Sequence, residues 1–246
     1  MSPISPVFSN IAASFPNYKW KKTNMTPPSS RVPCVQSSAV DFTKDFPWLT
    51  DKTLRASLEA LSDITFSEED INYLASNEIR VPFKNGKEAV DFIKEKNVRI
   101  IFDKPADKNI HAQYEFSTNI IAINNRYKKC MDFPVIIAIA EAILHECSHA
   151  YDNDGESSVQ EELDCLGMNA VSHRAFLKRY GNLFENSDAP IINDGVSVYA
   201  KLFFDPDPQK QKLIHRVREK YGYLTAGDKL HPAGKIARSV KYLSEN

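Results

Sequence analysis

The chain has 246 residues, which is enough for one full-sized globular domain. Hydrophobic residues make up 42% and charged residues 26% of it, as in ordinary folded proteins. The net charge of -1 gives no electrostatic reason to expect a nucleic acid or an anionic membrane surface as a partner.

Residues 1–45 are predicted to form a flexible leader. They are rich in Pro, Ser, Thr and Asn, and their apolar residues are scattered. Such a composition buries too little apolar surface to offset the entropy lost on ordering the chain.

Three helices are predicted between residues 48 and 97. Thr50 or Asp51 can cap the first, which carries leucines at intervals of three and four residues on one face. Ser67, followed by three acidic residues, begins the second, because acidic side chains suit a first turn. Gly86 precedes the third, whose apolar stripe begins at Ala89. We expect these helices to serve as packing scaffold.

A small, mainly antiparallel sheet is predicted next. Residues 98–102 and 118–124 are rich in β-branched side chains, and polar residues bound the second run. Residues 113–115 can add a hairpin arm between them. A long apolar helix then begins at Pro134 and continues to about Tyr151, because proline is favoured in a first turn.

A further helix is predicted from about Ser158 to Tyr180, ending before Gly181. Residues 192–245 suggest helical segments separated by Pro- and Gly-containing turns. No internal repeat is visible in the chain.

The most informative motif is His145-Glu146-Cys147-Ser148-His149, near the end of the long apolar helix. Two histidines four residues apart lie on one face of a helix, so both imidazoles can bind one metal ion. Glu146, directly after the first histidine, stands beside that ion as a general base. This order of ligand, base and ligand is the HExxH pattern of zinc-dependent peptidases.

A catalytic zinc ion also needs a third protein ligand. At about 100° per residue, the apolar stripe of the next helix leaves Glu162 at its margin and turns Glu161 and Asp164 away. We therefore predict Glu162 as the third ligand. The alternatives are a solvated acidic first turn at Glu161 and Glu162, or ligation by His173, which is on the same side of the wheel as Glu162. The candidates downstream of the motif are Asp152, Asp154, Glu156, Glu161, Glu162, Asp164 and His173.

The HExxH motif followed by Glu162 on the next helix resembles the gluzincin branch of zinc metallopeptidases. The resemblance covers about residues 118–180, roughly a quarter of the chain. Asp152 stands where the metzincin pattern requires glycine, so that branch is not matched. The resemblance implies one zinc ion held by His145, His149 and Glu162.

Taken together, these features predict an α+β protein with a zincin-like core. Residues 46–246 would form a single metallopeptidase domain with a helical scaffold (46–97), a catalytic core (98–180) and a C-terminal helical part (181–246). Its substrate would be an extended peptide paired with an edge strand near Ile120–Ile123. The alternative is a non-catalytic metal-binding or structural protein that retains an HExxH helix.

The compartment is predicted from the cysteines and the absence of targeting signals. Cys34, Cys130, Cys147 and Cys165 show no disulfide-framework spacing, which favours free thiols in a reducing compartment. No apolar stretch reaches the roughly 18–20 residues of a membrane span, and no signal peptide is recognisable. We expect a cytoplasmic protein, or one secreted without a signal peptide.

Overall fold

The computed structural model describes residues 40–104, 110–153, 158–181, 203–205 and 207. They form six α-helices, three strands and a short 3-10 helix at Asn125–Tyr127. In chain order the elements are α1 (Phe42–Asp45), α2 (Lys52–Ser62), α3 (Glu68–Ser76), α4 (Gly86–Glu95), β1 (Arg99–Asp103), β2 (Ala112–Glu115), β3 (Ile120–Asn124), α5 (Phe133–Asp152) and α6 (Val159–Tyr180). The predicted mixture of many helices with a small sheet is confirmed.

The predicted helices before the sheet are confirmed as α2, α3 and α4. Asp51 caps α2, its carboxylate accepting the Thr53 N–H at 2.8 Å. Gly86 is the first residue of α4, where a prediction had placed it just before the helix. A Cβ atom at Gly86 would lie 1.7 Å from the Leu61 carbonyl oxygen, so only glycine allows α4 to begin this close to the end of α2.

The sheet has the order β1-β3-β2, and its pairing corrects two predictions. Strand β3 pairs parallel with β1 and antiparallel with β2, so the sheet is mixed where a mainly antiparallel one was expected. Ile120–Ile123 belong to this central strand, and both of its hydrogen-bonding edges are already paired, one with β1 and the other with β2. The prediction that a substrate pairs with these residues is therefore wrong, and β2 is the edge strand beside α5.

Helix α5 is the centre of the core. Its residues are buried almost without interruption from Val135 to Ala150, because α2, α4, α6 and the sheet pack around it. Replacing one of these buried isoleucines with alanine would cost about 2–5 kcal/mol of folding free energy. Asn153, at a φ of 34°, ends the helix in the left-handed conformation that asparagine tolerates. The HExxH motif thus lies in the helix that is most extensively buried among the described residues.

By length and composition, α5 is also the one helix among the described residues that could cross a membrane. Its mean hydropathy is 1.3, but 83% of the apolar window is buried inside the protein. The central helix of a globular core passes the same test.

Arg80 bridges the end of α5 and the start of α6. Its Nη1 lies 2.8 Å from Asp152 Oδ1, and its backbone N–H donates to Asp164 Oδ1 at 2.9 Å. Asp152 and, to a lesser extent, Asp164 raise the pKa of the Arg80 guanidinium. This contact helps to set how the two helices lie against each other.

The leader and the C-terminal part fall largely outside the described residues. Of the predicted leader, residues 40–45 are described, and they include α1 with Phe42 buried against the core. Packed residues therefore occur on the N-terminal side of the predicted boundary. Of residues 181–246, the described ones include Phe203, which is also buried in the core.

Candidate metal centre

The two histidines of the motif are held in place by side chains of α6. His145 Nδ1 lies 2.6 Å from Asn169 Oδ1, and His149 Nδ1 lies 2.6 Å from Glu161 Oε1. Both oxygens are acceptors, so each imidazole donates its Nδ1–H. The other nitrogen of each ring, Nε2, is thereby the one that can bind a metal once it carries no proton.

The Glu162 carboxylate spans the two Nε2 atoms. Its Oε1 lies 3.6 Å from His145 Nε2, and its Oε2 lies 3.4 Å from His149 Nε2. Glu162 is 1% exposed, and Oε1 has no hydrogen-bond partner among the described residues. A buried carboxylate oxygen without a donor is costly. A cation bound beside Glu162 would relieve this cost.

Burial and pairing affect these groups in opposite directions. Burial alone would raise the pKa of Glu162, but the hydrogen bond to His149 and the charges of both imidazoles lower it. Burial alone would lower the pKa of His149, but Cys165 and the carboxylates of Glu161 and Glu162 raise it well above its usual value. The centre thus favours a positive charge among its side chains.

Cys165 lies close to both histidines. His145, His149 and Cys165 form a buried group in which the potential ligand atoms all lie within 4.8 Å of one another. The thiol also interacts with His149, and burial raises its pKa to about 12. This group could bind a metal ion. Glu162, next to the Nε2 atoms, offers a further donor.

Glu146, the predicted general base, is held by the edge strand. The Tyr114 N–H donates to Glu146 Oε2 at 2.8 Å. Burial raises the pKa of Glu146, partly offset by the charges of His145 and His149. The carboxylate therefore has a fixed position beside the histidines and a pKa shifted towards neutrality, as a general base requires.

The centre is most open on the side of Glu146. Glu146 and His145 are each 8% exposed, compared with 2% for His149 and 1% for Glu162. A molecule that approached from solvent would meet the base and the first histidine before the remaining donors.

The predicted site residues His145, His149, Glu146 and Glu162 are brought together in the structure. The prediction that Glu161 points away is wrong. Its carboxylate is buried, and Oε2 accepts the Ser158 N–H at 3.2 Å while Oε1 pairs with His149. The alternative of a solvated acidic turn is wrong for the same reason.

His173, the alternative third ligand, lies on α6 four residues after Asn169. Its Nδ1 is 3.0 Å from Glu141 Oε1, and both side chains are buried. Asn169 links this pair to the centre, because its Nδ2 donates to the Glu141 carbonyl oxygen at 3.1 Å. Asp152, another of the candidate ligands, instead pairs with Arg80.

Sequence reasoning missed two residues of this centre, Asn169 as the partner of His145 and Cys165 as a potential donor. A signal was available, since Cys165 and Asn169 lie three and seven residues beyond Glu162, on the same side of α6. A tyrosine or histidine from a distant segment often stabilises developing negative charge at such a site. The sequence offers His215, Tyr221, Tyr223 and His231 for this role, and all four lie outside the described residues. His111 is described, and it contacts Tyr127 and Arg126.

The hydrogen bond from His145 to Asn169 yields a testable prediction. Asn169→Ala removes the acceptor that orients the ring, so we expect the metal affinity to fall about 10- to 100-fold. Asn169→Asp keeps an acceptor at the same place and should retain most of the affinity. Competition titration with a chromogenic chelator measures both, and equal affinities for the two variants would contradict the orienting role.

Comparison of the chain with family models, curated proteins and solved structures found no match.

Proposed function

We propose that this protein is a zinc-dependent peptidase whose metal is held by His145, His149 and Glu162. The proposal is carried by the convergence of two Nε2 atoms on the buried Glu162 carboxylate, whose Oε1 has no hydrogen-bond donor among the described residues. The nitrogen and oxygen donors, with a thiol nearby, suit zinc better than magnesium or calcium.

Zinc bound there would supply Lewis acidity towards a peptide carbonyl and towards water. The protein's own contribution begins with Glu146. Tyr114 holds Oε2 of this carboxylate, which leaves Oε1 to accept a proton from the attacking water. The same carboxylate can then give the proton to the leaving amine. Asn169 and Glu161 keep the imidazoles in the tautomer that this arrangement needs.

The edge strand β2 is the surface that we propose for the substrate. Its Tyr114 N–H is directed at Glu146, away from β3, so the outer edge of β2 faces the metal centre. Outward-facing groups alternate along an antiparallel strand, which places those of Ala112 on the same side. An extended peptide added to this edge would bring a backbone carbonyl near the base.

The proposal is tested by metal analysis together with hydrolysis of a peptide library. We expect near-equimolar zinc in the purified full-length chain and cleavage that stops when a chelator removes the metal. Cleavage should return when zinc is added back. A protein that takes up no zinc, or that binds zinc and cleaves no peptide in the library, would contradict the proposal.

The nearness of Cys165 favours a second candidate, a metal site with a structural role. Structural zinc sites have four protein ligands, whereas catalytic sites keep one position open. Equimolar zinc with no hydrolysis, together with unfolding when the metal is removed, would favour this candidate.

A further inference from the structure

Cys165 lies in the metal centre although the peptidase chemistry described above does not use it. It is 1% exposed and is on α6 three residues after Glu162 and four after Glu161. Residues three and four apart share one face of a helix, so all three side chains face α5. The carboxylates contact the histidines, and the Cys165 Sγ lies within 4.8 Å of a ring nitrogen of each histidine.

The distances allow Cys165 to bind the same ion as the histidines. Two donors bound to one tetrahedral zinc ion at about 2.0–2.3 Å are roughly 3.5 Å apart. The candidate ligand atoms of His145, His149 and Cys165 lie within 4.8 Å of one another, so small side-chain movements bring them to that spacing. Glu162, with its unpartnered Oε1, is at 3.4–3.6 Å from the Nε2 atoms already.

We propose that Cys165 is a fourth protein donor, and that the resting centre is closed by His145, His149, Glu162 and Cys165. This inference rests on the metal centre of the proposed function. A tetrahedral zinc ion with four protein ligands has no position for water. In this resting form water has no place on the ion, so hydrolysis proceeds only in the fraction of molecules from which the sulfur has left the ion.

The ligand exchange involves no oxidation or reduction. On metal binding the thiol proton passes to solvent, and a sulfur–metal bond forms in the position that water would otherwise take. When the sulfur leaves the ion, it takes up a proton and a water molecule binds in its place. A thiolate donor also favours zinc or cobalt over magnesium or manganese, because these prefer oxygen ligands.

Cobalt(II) in place of zinc reports on both parts of the proposal without an activity assay. Sulfur bound to cobalt gives a charge-transfer band in the near-ultraviolet, and azide that binds an open position changes the visible spectrum. We expect the wild-type protein to show the sulfur band and no response to azide. In Cys165→Ser and Cys165→Ala the band should be lost, and azide should bind at least about tenfold more tightly.

Cys147 provides a matched control. It is a buried cysteine between the two histidines in sequence, but its Sγ lies 3.8 Å from the Ala89 carbonyl oxygen. Cys147→Ser should therefore keep the sulfur band and stay unresponsive to azide. Circular dichroism establishes that each variant is folded. Should the Cys165 variants fail to fold, X-ray absorption at the zinc edge of the wild-type protein decides the question, since one sulfur neighbour is expected.

The outcomes separate this inference from the proposed function. Stoichiometric metal with only nitrogen and oxygen neighbours would overturn the role of Cys165 and leave the peptidase proposal standing. A sulfur band with azide binding in the wild type would overturn the closed centre. A sulfur band lost in the Cys165 variants, in a protein that cleaves no peptide even when azide can bind, would support the closed centre and contradict the peptidase. Absence of metal binding would overturn both.

Discussion

Glu146→Gln is expected to lower peptide hydrolysis by about 100- to 10,000-fold, because the amide cannot accept the proton of the attacking water. Metal content should stay near equimolar, since Glu146 is not among the proposed ligands. Glutamine has the shape of glutamate, and its amide oxygen can still accept the Tyr114 N–H. The loss is measured as kcat/KM on the best peptide from the library.

The control for this variant is a carboxylate that lies off the centre. Glu115, the residue after Tyr114 on β2, is exposed, and its carboxylate accepts the Thr118 hydroxyl at 2.7 Å. Glu115→Gln should retain nearly full activity. Comparable activity in Glu146→Gln and the wild type would remove Glu146 from the chemistry, whatever metal is bound.

The second large effect is expected from His149→Gln. If three ligands share roughly 12 kcal/mol of zinc binding, losing one costs about 4 kcal/mol, which is about a 1000-fold weaker affinity. His149 also pairs with the buried Glu161, so this ligand has no substitute in the same position. Zinc content after gel filtration measures the loss.

The thermal midpoint gives the same variant a second readout. At a zinc concentration 1000 times the dissociation constant, binding stabilises the folded state by about 4 kcal/mol. A chelator should therefore lower the midpoint of the wild type by roughly 10 °C and leave that of His149→Gln nearly unchanged. His173→Gln, at the runner-up ligand, should behave like the wild type. Loss of zinc in His173→Gln with retention in His149→Gln would reverse the assignment.

Local signals in the chain were enough to predict the described helices and strands from α2 onward, but not α1 or the short 3-10 helix. Caps such as Asp51 and Ser158, and the apolar run that begins near Pro134, are properties of short segments, so they can be identified without tertiary information. The direction of strand pairing is different. The pattern of residues 118–124 indicates a strand, but nothing within it says that β1 and β2 lie on either side. The edge strand was misplaced for that reason.

The arrangement of the site residues could be predicted where it is set by one helix. It was harder to predict where it is set by how two helices pack against each other. The spacing of His145 and His149 fixes their common face on α5. The position of Glu161 was missed because the helical wheel assumed that α6 has one buried side. Glu161, Glu162 and Asp164 are all buried, so α6 is covered all round near its start, and facing away from the apolar stripe did not mean facing water.

The Glu161 carboxylate has a consequence for the cooperativity of folding. One of its oxygens completes the capping box with Ser158, and the other accepts the Nδ1–H of His149. The first turn of α6 and the orientation of that imidazole are therefore one structural unit, since fraying of the turn releases the ring and rotation of the ring uncaps the turn. A metal ion bound by the histidines would therefore slow amide hydrogen exchange in the first turn of α6, although that turn need not contact the ion.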